Sequence, residues 1–142
     1  MDNDSLLEKP SCYIFDIDGT LAKLNGRSPY DYSKVIEDLP REKVINMVDI
    51  LQWEYDIIIC SWRPDSCKED TELWLRTNKI KYHWLYLRKT WDKRSDVIVK
   101  TEMLQDIIKI YNIEWIFEDR DRVVEMWRSH WYQCYQVNYG NF

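Results

Sequence analysis

The chain has 142 residues, 45% of them hydrophobic and 32% charged, with a formal net charge of −5. That length fits one domain, residues 1–142, with a real core, and no apolar stretch reaches the span of a bilayer. The acid excess disfavours tight nucleic-acid binding, which depends on neutralising phosphates, and the acidic start Met1-Asp2-Asn3-Asp4 lacks the apolar core of a secretion signal.

In chain order, Cys12-Tyr13-Ile14-Phe15-Asp16 is an apolar run that predicts a fully buried first strand over 12–16. It delivers Asp16 and Asp18, one residue apart, into Gly19-Thr20. Carboxylates there emerge at the carboxyl edge of a sheet, where open α/β sheets place ligands. Two of them suit a hard divalent cation such as Mg²⁺. An inert strand end with an Asp-Gly turn would not account for both carboxylates, the threonine and the apolar lead-in together. Residues 22–39, with Gly26 and Pro29, provide a loop or small hairpin and are too few for a cap domain.

Pro40 opens a predicted helix to about Glu54, with Val44, Met47, Val48 and Leu51 on one face. Residues 56–61 form a second buried strand ending in Ser61, two residues before Arg63. A helix over 68–78 and a short strand over 84–87 follow. The next helix runs from about Asp96 to Ile110, with Ile98, Met103, Leu104 and Ile107 as its apolar stripe. Asp96 and Lys100 lie one turn apart, a spacing that by itself asks for no more than a modest ion pair. Strand four, 114–118, ends in Glu118-Asp119, two acids that would complete a metal shell beside the first pair. A helix over 122–130 and a strand over 133–137 close the chain. Alternating strands and helices imply an α/β fold with a parallel, doubly wound sheet.

Cys12, Cys60, Cys67 and Cys134 show no zinc or redox spacing, so reduced thiols in a cytoplasmic protein are expected. The three glycines, Gly19, Gly26 and Gly140, cannot build a phosphate-binding loop of the kinase type. Arg27 and Arg63 are substrate candidates, because guanidinium forks match phosphate oxygens. From Leu73 to Ser95 basic residues (Arg76, Lys79, Lys81, Arg88, Lys89, Lys93, Arg94) interleave with Tyr82, Trp84, Tyr86 and Trp91. That pattern describes either a single-strand groove or a solvated face over buried rings.

Asp16-Ile17-Asp18-Gly19-Thr20-Leu21 resembles the first motif of the haloacid-dehalogenase-like (HAD) phosphohydrolases. Asn25-Gly26-Arg27, Ser61-Trp62-Arg63, Asp96-Val97-Ile98-Val99-Lys100 and the block from Glu118 to Arg128 extend the likeness. Together they look like the 3′-phosphatase domains of the bacteriophage polynucleotide kinase–phosphatase family. The resemblance implies a HAD-like Rossmannoid three-layer sandwich without a large cap, its five strands ordered 3-2-1-4-5. It implies Asp16 as nucleophile and Mg²⁺ ligand, and Asp18 as general acid–base with its carbonyl on the metal. Ser61 would hydrogen-bond the phosphoryl group. Lys100, rather than Lys93, would supply fixed positive charge, oriented by Asp96.

By the same resemblance Thr20, Arg27, Arg63 and Asp96 lie on the substrate side, and Asp119 and Glu118 on the metal side. Glu118 stands where the relative has Asp, and Trp62 where it has Gly. The implied substrate is a nucleic-acid 3′-phosphate end or a nucleoside 3′-monophosphate. A nucleotide or small-metabolite phosphatase and a non-catalytic nucleic-acid-binding module are the competing readings. A separate kinase or ligase partner, and a virus-encoded origin with action in the host cytoplasm, complete the expectation.

Overall fold

The structure is a computed structural model and describes residues 8–142. The acidic start lies outside the described residues. Seven strands and four α-helices form among them: β1 (Ser11–Phe15), β2 (Ala22–Lys23), β3 (Leu39–Pro40), α1 (Glu42–Leu51), β4 (Asp56–Pro64), α2 (Lys68–Thr77), β5 (Trp84–Arg88), α3 (Asp96–Ile107), β6 (Asn112–Glu118), α4 (Asp121–Ser129) and β7 (Cys134–Gln136).

Five strands pair in parallel in the order β5-β4-β1-β6-β7. Counting these five in chain order gives 3-2-1-4-5, as the resemblance implied. The apolar run of β1 sits at the centre because both of its faces are covered. Cys12, Ile14, Ile58, Cys60 and Ile116 face the inner side chains of α3 and α4, among them the wholly buried Trp127. Phe15, Ile57, Ile59 and Phe117 face Trp74 and Leu75 of α2 and Val48 of α1. The result is three layers, with the carboxyl ends of β1, β4 and β6 meeting at one edge.

Between β1 and α1 the chain forms the antiparallel pair β2–β3 and a 3₁₀ segment over Tyr32–Glu37. No larger cap is present among the described residues, and no helix of theirs is long and apolar enough to cross a membrane. All four cysteines are free and buried.

Several boundaries differ from the sequence reading. Pro40 belongs to β3, opposite Ala22, and α1 starts two residues later, after Arg41 bonds the Leu21 carbonyl. Met47 turns to solvent, and Ile45 packs inward in its place. In α3 the inward face carries Asp96, Val99, Lys100, Met103, Leu104 and Ile107, and Ile98 is 45% exposed. Two charged residues occupy the buried face, so an apolar-only count set the helix at the wrong phase. β4 continues through Ser61-Trp62-Arg63 to Pro64, with its register against β5 broken between Ser61 and Pro64. Strand alternation there sends Ser61 and Arg63 one way and Trp62 the other.

Candidate active site

The end of β1 is fixed by Asp16, whose amide donates to the Phe117 carbonyl at 3.0 Å. The following turn is tight, with the amides of Thr20, Leu21 and Ala22 all bonding the Ile17 carbonyl. Gly19 occupies it at φ +86°, and a Cβ there would sit 2.0 Å from Asp119 Oδ2. Glycine thus lets the β1 and β6 loops close on each other.

Asp16 is buried, and both of its oxygens are bonded. Lys100 Nζ donates to Oδ1 at 2.8 Å and the Thr20 hydroxyl to Oδ2 at 3.3 Å. The same ammonium donates to Glu118 Oε2 at 2.7 Å, while Glu118 Oε1 accepts the Asp119 amide at 3.1 Å. Asp16, Glu118 and Asp119 each offer an oxygen within 4.8 Å of the others. One lysine cannot neutralise three carboxylates. Burial, then Glu118, pushes Asp16 well above the usual carboxylate range against the pull of Lys100. Burial and Glu118 raise Asp119 to about 7. Lys100 outweighs burial at Glu118 and holds it low. An all-oxygen, charge-excess cluster of this kind fits a hard divalent cation.

Across the mouth, Asp18 accepts from Arg63 Nη2 at 2.7 Å and Arg27 Nη2 at 3.1 Å. Both arginines also reach Asp38, whose side chain is wholly buried. Arg27 meets it through Nε at 2.8 Å and Nη2 at 2.9 Å, and Arg63 through Nη2 at 2.9 Å. Two guanidiniums and two carboxylates therefore balance. Ser61 is buried, with its Oγ accepting the Arg63 amide at 3.1 Å.

Eight of the ten residues singled out from the sequence line one cavity of about 600 Å³. Thr20 and Arg27 do not. Thr20 lies behind Asp16 and holds it, and Arg27 clamps Asp18, Asp38 and three loop carbonyls. Asp96 is on the wall, yet it forms no hydrogen bond or ion pair with Lys100. Burial works to raise it, but Arg122 and Arg120 pair with it and keep its carboxyl low. Lys100 takes its orientation from Asp16 and Glu118 instead. Asp18's carboxylate stands apart from the three-acid cluster.

Asp38 and Arg41 escaped the sequence reading. Two arginines assigned to one site demand counter-charge, a signal that could have pointed to Asp38. Arg41 lines the cavity with its Nε buried and without a partner.

The family described as the polynucleotide kinase PNKP phosphatase domain matches residues 10–142. The chain belongs to this family. Like its family, it is a HAD-type phosphatase. It is 34% identical, over 125 residues, to an Autographa californica nuclear polyhedrosis virus protein described as a bifunctional polynucleotide kinase/RNA ligase. That match covers 84% of this chain and 18% of the viral protein. A chain in the structure of the Pnkp1/Rnl/Hen1 RNA repair complex superposes with TM-score 0.91 at 39% identity, over 94% of this phosphatase and 44% of that chain. A haloacid dehalogenase-like protein from Streptococcus pneumoniae, 13% identical with TM-score 0.62, shares the fold over 87% of this chain and 82% of its own. The phosphatase thus spans less than half of the polynucleotide-processing chains it matches.

Proposed function

We propose that the chain removes 3′-phosphates from nucleic-acid ends, using Mg²⁺ and an aspartyl-phosphate on Asp16. The observation that carries this reading is the pairing of two carboxylates in different settings on one cavity. Asp16 is buried against Lys100, and the Asp18 side chain is 34% exposed at the mouth. A nucleophile needs a fixed place, whereas a proton carrier needs access to solvent and leaving group.

In the first step an Asp16 oxygen bonds to phosphorus, the bond to the 3′-oxygen breaks, and Asp18 gives that oxygen its proton. In the second, Asp18 takes a proton from water as the water oxygen attacks phosphorus, and inorganic phosphate leaves Asp16. Lys100 holds positive charge beside the transferring group, and Ser61 supplies a hydroxyl from the β4 end. Asp16, Asp119 and Glu118, with the Asp18 carbonyl, would hold Mg²⁺, which neutralises charge where anionic phosphate meets anionic nucleophile.

Arg27 and Arg63 already spend their forks on carboxylates. Arg41 and Lys23 line the cavity without an ion-pair partner among the described residues, and they are the cations free to meet the phosphate end. A single nucleotide is the second reading, favoured by aromatic walls (Tyr30, Tyr32, Tyr139, Phe142) around a 600 Å³ space. Given what its relatives are described as doing, a kinase and a ligase are the natural partners; action in the cytoplasm of a virus-infected host belongs to the same proposal.

The test compares inorganic phosphate release from a 3′-phosphorylated oligonucleotide, a nucleoside 3′-monophosphate and a nucleoside 5′-monophosphate. The 3′-phosphates should be hydrolysed with Mg²⁺, and EDTA should stop the reaction. Ca²⁺ should support little turnover, because its larger, looser shell misplaces the reacting groups. Preference for the 5′-monophosphate, or full activity in excess EDTA, would overturn the reading.

A further inference from the structure

Trp62 separates the catalytic cavity from a smaller one of about 250 Å³, and Tyr30 and Tyr32 also belong to the walls of both. Pro64, Arg88, Thr90 and Lys93 complete the smaller cavity. The guanidinium of Arg88 is buried and stacks on Trp62, 4.0 Å from the ring centroid. It donates to the carbonyls of Trp62, Thr90 and Asp92. Unlike Arg27 and Arg63, it has no carboxylate in ion-pair reach among the described residues.

The acids of the adjoining loops are already engaged. Asp92 is chelated by Arg94. Asp65 accepts the Thr90 hydroxyl at 2.6 Å and faces Lys89 at 3.9 Å. Lys93 is exposed and also without an acidic partner. Keeping a cation buried without counter-charge is costly, and an anionic ligand removes that cost.

We infer that this smaller cavity is a subsite for the phosphate on the 5′ side of the terminal nucleoside, an internucleotide diester when the substrate is a chain. The inference rests on the proposed function and names how that site would recognise a polynucleotide. Lys93 meets the diester from the rim, reinforced by the charge of Arg88. Trp62 is a fixed partition, one face under Arg88 and its Nε1 bonded to the Arg94 carbonyl at 3.0 Å. The stacking surface for a base is Tyr30, which is 72% exposed and shared by both cavities.

The experiment measures kcat/KM for an aryl phosphate, a nucleoside 3′-monophosphate, a nucleoside 3′,5′-bisphosphate and a dinucleotide 3′-phosphate, with wild type and Lys93→Glu. The bisphosphate and the dinucleotide should both exceed the 3′-monophosphate by about tenfold, the scale of one charged hydrogen bond. Lys93→Glu should erase that gain and leave the aryl phosphate and the 3′-monophosphate unchanged. Equal rates for the 3′-monophosphate, the bisphosphate and the dinucleotide in wild type would overturn the subsite. So would a Lys93→Glu effect uniform across substrates. A gain confined to the bisphosphate would overturn the internucleotide assignment in favour of a free 5′-phosphate. If wild type hydrolyses none of the four, the phosphatase reading itself has failed, a result distinct from loss of the subsite.

Discussion

Both oxygens of Asp16 are occupied in the resting site, one by Lys100 and one by Thr20. The longer Thr20 contact, at 3.3 Å, is the weaker. Asp16→Asn should abolish turnover because an amide cannot form the acyl phosphate. Asp18→Asn should lower kcat by roughly 10²–10⁴, the range of general acid–base catalysis. Steady-state phosphate release, with deamidation excluded by mass spectrometry, checks both. Arg41→Ala should lower kcat/KM by roughly 10–100-fold, the worth of a charged hydrogen bond to substrate, and Arg41→Lys should restore part of it. An unaltered kcat/KM in Arg41→Ala would remove Arg41 from the substrate contacts. At this scale the motif residues were legible because carboxylates, serine and lysine sit at strand ends or one helical turn apart. Asp38 was not, since its meaning lies in two arginines 11 and 25 residues away. The partners of Asp96 were hidden for the same reason, being 24 and 26 residues distant.

The carboxyl ends of β1 and β6 bring like charges together, and that has a measurable cost. In cation-free protein Asp119 titrates near 7. Between the ordinary carboxylate range and that value, the folded state keeps a proton that the unfolded chain has lost. Asp16, raised by the same crowding, acts in the same direction, so stability must fall as pH rises through this window. Thermal melts in EDTA from pH 4.5 to 8.5 should show the decline, and Mg²⁺ should flatten it by replacing the proton. A melting temperature in EDTA that climbs toward pH 8 would contradict this.

Strand and helix order was readable because buried parallel strands are continuous apolar runs. Helix phase in α3 was not, because the buried face holds Asp96 and Lys100 and apolar counting pointed outward to Ile98. The β2–β3 pair, with two residues in each strand, is too short to leave a period in sequence.

Over the whole molecule, the basic stretch seen in the sequence is divided between opposite edges of the sheet. Arg76, in the last turn of α2, and Lys79 and Lys81, between α2 and β5, lie at the amino edge. Arg88 ends β5, and Lys89, Lys93 and Arg94 follow it at the carboxyl edge, beside the site. Arg94 is neutralised by Asp92 and Glu102. A single groove along residues 73–95 is therefore not formed, and the acid excess of the chain is relieved only locally. Lys81→Glu should leave oligonucleotide turnover within about twofold, and Lys89→Glu should reduce it, increasingly so at low salt. Equal effects of the two reversals would argue for a diffuse field instead of a local one.

The four thiols give the molecule a built-in clock. Burial pushes Cys12 and Cys134 up to about 12 and raises Cys60 and Cys67 as well, so the native protein carries almost no reactive thiolate. Cys12, Cys60 and Cys134 lie in three strands of one sheet, within a single apolar cluster. A chromogenic disulfide reagent can reach them only when that sheet parts, so its rate of reaction reports how often the domain opens. The three should label together, in one phase, and Mg²⁺ should slow that phase if it ties β1 to β6.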